Sequence, residues 1–275
     1  MLAPSSDTVI TRSLRLYGEW AEHELSILHG FITSDSTVVD VGANIGTHTL
    51  AFSRWVGDGT VIAIEVQPAL ADILRRNCIQ NARRNVDIVN ALCAQYPGSA
   101  SVRINYMHED NIGAISFADA GRRGWLAGLI DRIWTSRTAH VPAVKLDDIC
   151  AKHDVSLVKI DVEGMELDVL RGGQNTLSTC RSTLFFEQND TTRLPDTYDH
   201  LAAAGYRMFW LETHPYNQNN FRGVKDNIWW RTETGILALP RERPPPWSFR
   251  EVRRDDTSPP HQLNAREGTA VASIT

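Results

Sequence analysis

Asp40, Gly42, Asn44 and Gly46 occupy alternate positions of DVGANIG, residues 40–46, and Glu65 closes the next apolar run. Glycine at a turn after a strand permits positive φ and lets a ligand approach the backbone. The amides that open the following helix then favour an anionic group. Two cofactor classes use this device, the nicotinamide dinucleotides and S-adenosylmethionine. A dinucleotide turn needs G-x-G-x-x-G, so that a pyrophosphate can sit on the second glycine and helix and strand can close up at the third. Asn44 and Thr47 hold those two places here. What remains is D-x-G-x-N-x-G, in which Asp40 could hold the ammonium of a methionine moiety directly or through water. Ala43, Thr47 and His48 complete the turn, with His48 expected to support the methionine end. Glu65 can accept both hydroxyls of a ribose. Both cofactors carry that ribose, so Glu65 indicates a nucleoside and the loop chooses which.

A second set of acids lies further along. Asp161 and Glu163 precede Gly164 at the end of an apolar run, and Glu187 ends another. Two carboxylates beside a glycine, where a cofactor cleft should open, suit the positioning of an acceptor. Removing a proton from an alcohol asks for a base better matched than an ordinary carboxylate, and histidine is the usual choice. Of His48, His108, His153 and His214, the last follows a strand and is the first choice. Asp161, Glu163 and Glu187 also offer oxygen ligands to a hard ion such as Mg²⁺, although no fixed-spacing metal signature is present.

These residues need a parallel sheet whose strands end together. Apolar runs at 37–41, 60–64, 86–89, 157–161, 183–186 and 206–211 read as strands, with 228–230 or 236–239 as a closing antiparallel one. Helical spacing falls between them, at 47–55, from Pro68 to about 81, and at 198–204. Ala91 and Leu92 follow the third strand, where an adenine should rest; Leu92 and Cys93 could equally fill core. Residues 1–36 form a lead with an amphipathic helix at 19–31. Residues 117–140 break the alternation; Trp125 to Trp134 has one apolar helical face and reads as a packed insertion or a lid over the acceptor. From Pro240 the chain turns Pro-rich and polar, which predicts a disordered tail over 240–275.

Composition narrows the function. A formal net charge of -5 and a pI near 6.0 lack the basic excess of a nucleic-acid binder. The 4 cysteines form no C-x-x-C pair, which fits a reduced cytoplasmic protein. No apolar leader and no run of roughly 18 apolar residues occurs, so neither secretion nor membrane insertion is expected.

DVGANIGTHTL, the acid at Glu65, LDD at 146–148, KIDVEG at 159–164 and FFE at 185–187 occur in this order with fitting gaps. In this the chain resembles the FkbM family of S-adenosylmethionine-dependent methyltransferases over about residues 37–211. The resemblance implies a class I, Rossmann-like methyltransferase fold: an α/β, mostly parallel sheet of about seven strands with helices on both faces. It also implies cofactor contacts at Asp40, Gly42, Asn44, Gly46 and Glu65, with Asp161 and Glu163 facing the reaction centre. The expected reaction is O-methylation of a small hydroxylated metabolite or sugar. The alternatives are a nucleotide-linked oxidoreductase, disfavoured by Asn44 and Thr47, and a non-catalytic cofactor-binding protein, disfavoured by the paired acidic clusters.

Overall fold

The computed structural model describes residues 1–5, 7–105, 136–188 and 191–257. β-Branched runs build the centre of a seven-stranded sheet: β1 (Thr37–Val41), β2 (Thr60–Ile64) and β3 (Val86–Val89), joined later by β7 (Val155–Ile160), β8 (Thr183–Glu187), β9 (Tyr206–Thr213) and β10 (Glu233–Pro240). The order across the sheet is β3-β2-β1-β7-β8-β10-β9. All neighbours are parallel except β10, which runs antiparallel to both β8 and β9. Chain direction along the sheet reverses between β1 and β7, and this is the crevice where open α/β sheets bind ligands.

Alternate residues of each central strand serve opposite faces. Val38, Val61, Leu157 and Phe185 pack with Leu25 and Leu28 of α2 (Glu22–His29), with Phe52 of α3 (Thr47–Trp55) and with Val56 just after it. On that same face, Ala63 meets Leu74 and Cys78 of α4 (Pro68–Gln80). Val39, Ile62, Val158 and Leu184 instead pack against α5 (Leu146–Cys150), α6 (Glu166–Arg171), α7 (Gln174–Thr179) and α8 (Leu194–Ala203). The expected seven-stranded, two-faced architecture is therefore the observed one. Among the described residues no helix is long and apolar enough to cross a membrane.

Several boundaries differ from the sequence expectation. The lead holds two helices: the helix expected at 19–31 is α2, which starts only at Glu22 after Ala21 with φ 55°, and α1 (Ile10–Leu16) precedes it with no counterpart in the sequence expectation. A second sheet, β4-β6-β5, contains β4 (Leu92–Cys93), β5 (Gly98–Asn105) and β6 (Ser136–Val144). Residues 136–140 of the expected insertion thus belong to a strand paired with β5. The expected helix from Trp125 to Trp134 and His108 lie outside the described residues.

The expected loose tail is corrected over residues 240–257. β9 is the sheet edge, and its free backbone groups invite a partner. Trp210 N–H donates to Arg250 O at 2.8 Å, and Val252 N–H donates to Met208 O at 2.9 Å. Val252 is only 2% exposed. Trp210 Nε1 donates to Asp256 Oδ2 at 2.8 Å, while Trp247 meets Phe31 and Phe249 edge-on. A Pro-rich composition hid a segment whose apolar residues and backbone complete an edge strand.

Candidate functional site

A cleft open to solvent lies over the ends of β1, β2 and β7. Its floor is the glycine loop. Gly42 N–H and Ala43 N–H both donate to Ile64 O, at 2.9 and 3.0 Å, which lays the loop across the end of β2. Gly42 has φ +79°, and a Cβ there would meet Asp161 O at 1.8 Å. Only glycine lets the two strand ends close to this distance. Gly46 (φ +89°) opens α3, and a Cβ there would meet Leu74 Cδ1 at 2.3 Å.

Glu65 is 5% exposed and locked by the backbone. Its Oε2 accepts from Asn44 N–H at 2.8 Å and its Oε1 from Gln67 N–H at 2.7 Å. Asn90 Nδ2 donates to the carbonyls of Glu65 and Val66, fixing the backbone around the acid. Burial pushes the carboxyl up to about 7, against the two amide donors that favour the ion. Each oxygen keeps acceptor capacity beyond its one amide. Ala91, Leu92 and Cys93 line the cleft beside it. Burial also raises the Cys93 thiol to about 12, so this sulfur is apolar wall, not nucleophile.

The opposite end is acidic. Asp161, Glu163, Glu187 and Glu233 line it, with Arg231 the cation among the described lining residues. Asp161, Glu163 and Glu187 each offer a carboxylate oxygen within 4.8 Å of the others. Glu163 holds φ 51° and Gly164 φ 93°. A left-handed glutamate is uncommon, and such conformations gather at functional sites. Arg231 Nη2 lies 2.8 Å from Glu233 Oε1, and Val9, Ile10 and Trp20 from the lead complete the wall.

The structure therefore brings Gly42, Asn44, Glu65, Ala91, Leu92, Asp161 and Glu163 into one cleft. Ala43, Gly46 and Thr47 shape the loop without lining it. Asp40 departs from its expected role: it is 0% exposed, its Oδ2 accepts from Thr49 Oγ1 at 2.6 Å, and its Oδ1 lies 3.4 Å from Lys159 Nζ. It anchors the loop from beneath. His48 turns away from the main cleft into a small adjoining cavity, where its Nε2 lies 2.9 Å from Glu24 Oε1.

His214 is corrected as well. It follows β9, two strands beyond β8, is exposed, and stacks on His23 with ring centroids 5.8 Å apart. It lines neither the cleft nor the adjoining cavity. β10 inserts between β8 and β9 and so carries His214 away from the cleft. His153, at the end of a turn after α5, is also outside the cleft.

Trp20, Arg231 and Glu233 were not singled out as site residues, because the lead and the segment before β10 carry no motif. Lys159 had a usable signal, a lysine inside the otherwise apolar run LVKI.

The match to known proteins agrees with this geometry. The sequence model described as "Methyltransferase FkbM domain" matches residues 40–208, which is more than half of the chain and contains the loop, Glu65, Asp161, Glu163 and Glu187. Methyltransferase 1 of Beauveria bassiana (strain ARSEF 2860) is 29% identical over 154 residues, covering 50% of this chain and 58% of that protein. Methyltransferase sdnD of Sordaria araneosa is 26% identical over 163 residues, covering 51% and 61%. The chain thus spans about 60% of the length of these curated relatives. Among solved structures, methyltransferase FkbM from Methylobacillus flagellatus KT aligns with a TM-score of 0.45 at 17% identity, over 74% of this chain and 44% of that one. Sheet order, loop and sequence match lead to one conclusion: the chain belongs to the methyltransferase FkbM domain family.

Proposed function

We propose that this protein is an S-adenosylmethionine-dependent methyltransferase that O-methylates a hydroxyl of a small metabolite or sugar. One observation carries the reading: a single cleft joins an amide-anchored carboxylate, Glu65, to an acidic end formed by Asp161, Glu163 and Glu187. The residues suit the cofactor. Glu65 keeps acceptor capacity for ribose hydroxyls, Ala91 and Leu92 offer apolar walls for an adenine, and the acids favour the ammonium of the amino-acid end. When bound, S-adenosylmethionine supplies a methyl group on a positively charged sulfur.

This chain's own residues then have three tasks. The glycine loop and Glu65 orient the nucleoside, and alignment of two reactants is worth up to roughly 7–11 kcal/mol in well-oriented systems. Val9, Ile10 and Trp20 exclude water from the cleft's wall. Asp161 and Glu163 hold the acceptor hydroxyl, and one of these clustered carboxylates takes its single proton as the oxygen attacks. The adjacent placement of three carboxylate oxygens favours a second version, in which a divalent ion such as Mg²⁺ held by Asp161, Glu163 and Glu187 would orient the hydroxyl. The 4 cysteines are all free, which suits a reducing cytoplasm.

Calorimetry with S-adenosylhomocysteine and with NAD tests the cofactor, and binding of NAD alone would overturn the reading. Labelled cofactor offered with hydroxylated metabolites and glycosides tests the reaction. Label transferred only to amines or carboxylates would remove the hydroxyl assignment.

A further inference from the structure

Lys159 sits in the middle of the sheet, between the cofactor loop and the acidic end. On β7 it is in register with Asp40 of β1 and Phe185 of β8. It is 3% exposed, with Nζ 3.4 Å from Asp40 Oδ1 and 3.4 Å from Asp161 Oδ2. A buried charge is retained only where it is paired, because desolvation costs more than most contacts return. Asp40 supplies that pairing from the fully buried side and Asp161 from the cleft side. Lys159 also faces the small adjoining cavity, together with Glu24, His48, Glu187 and Glu233. Four carboxylates around that cavity, counting Asp161, leave an acidic surplus that one lysine and one histidine only partly offset.

We propose that Lys159 is a positioning and specificity residue whose fixed charge sets the balance between the methyl donor and its spent product. This rests on the cofactor reading above. The donor carries a sulfonium and the product a neutral thioether, so the two differ in charge at the sulfur while sharing the nucleoside and amino-acid ends. An uncompensated acidic end would attract the sulfonium strongly and gain nothing from the thioether. Lys159, against Asp161, weakens that attraction and pins the Asp161 side chain to the strand end. The lysine touches neither reactant; it acts through Asp161.

Calorimetric affinities for S-adenosylmethionine and S-adenosylhomocysteine test this without any acceptor. Lys159→Met should raise the donor-to-product affinity ratio about tenfold, the scale of a unit charge acting over several ångströms at a protein's effective dielectric. Lys159→Arg keeps the charge and should leave the ratio within about twofold of wild type. Because Lys159→Met strands Asp40 as a buried charge, Asp40→Asn combined with Lys159→Met provides a variant with both charges removed. Its ratio should rise in the same direction by a smaller factor. A purely structural lysine would lower both affinities together. An unchanged ratio in whichever of these two variants folds would overturn the proposal. Wild type that binds neither ligand would instead overturn the cofactor reading.

Discussion

Glu65 allows the cofactor assignment to be tested through pH. Its carboxyl, buried against the loop, titrates at about 7, above the ordinary 4.5. At 1.36 kcal/mol per pH unit, that difference corresponds to about 3 kcal/mol of unfavourable ionisation in the free protein. Between pH 4.5 and 7 the folded protein holds a proton that the unfolded chain has released. Stability of the free protein therefore falls as pH rises through this window and levels off above it. Cofactor binding should show the opposite trend. Ribose hydroxyls donate to the carboxylate, so the ionised form binds, and below pH 7 each unit of acidification should weaken affinity by close to tenfold. Isothermal titration with S-adenosylhomocysteine at several values from pH 5.5 to 8.5 would show a rising limb and a plateau above about 7. Glu65→Gln should weaken binding at pH 8 by about 1.5–3 kcal/mol, the scale of hydrogen bonds to a charged group, and flatten the profile. A flat profile in folded wild type, or a Glu65→Gln variant that still shows the limb, would refute the ribose role of this carboxylate.

Three further outcomes follow from the geometry. Asp161→Asn should retain S-adenosylhomocysteine affinity to within a few-fold and lower turnover by about 10²–10⁴, as measured with labelled cofactor and an acceptor from the hydroxyl screen; chelator sensitivity of wild type separates the metal-assisted version from direct proton acceptance. Gly42→Ala combines a φ of +79° with a Cβ 1.8 Å from Asp161 O, so it should lose well over 1 kcal/mol of stability and most cofactor binding, both readable by thermal melts with and without S-adenosylhomocysteine. Val252→Asp places a charge on a buried position that closes the β9 edge; a loss of about 2–4 kcal/mol in denaturant unfolding is expected, and a change under 0.5 kcal/mol would mean that residues 250–256 do not support the sheet.

The sheet was legible in the sequence because burial on two faces writes continuous apolar runs, as in TVVDV, TVIAI and TLFFE. The cofactor loop was legible for a local reason: a strand, a glycine turn and a helix start within residues 37–55 determine where the amides and Glu65 meet. The acids at Asp161, Glu163 and Glu187 were readable as strand ends, since parallel strands bring their ends to one side of the sheet. What tertiary structure alone decided concerns contacts between segments distant in the chain. Asp40 has the same sequence position as a cofactor-binding acid, yet Thr49 and Lys159 enclose it from α3 and β7. His214 looked like a strand-end base until the order of β10 and β9 moved it outward. Trp20 and Arg231 reach the cleft from the lead and from the approach to β10, segments with no motif to announce them. Composition marked residues 240–257 as loose, because it counts prolines and charges; an unpaired edge strand, which no local window contains, is what draws that segment onto the fold.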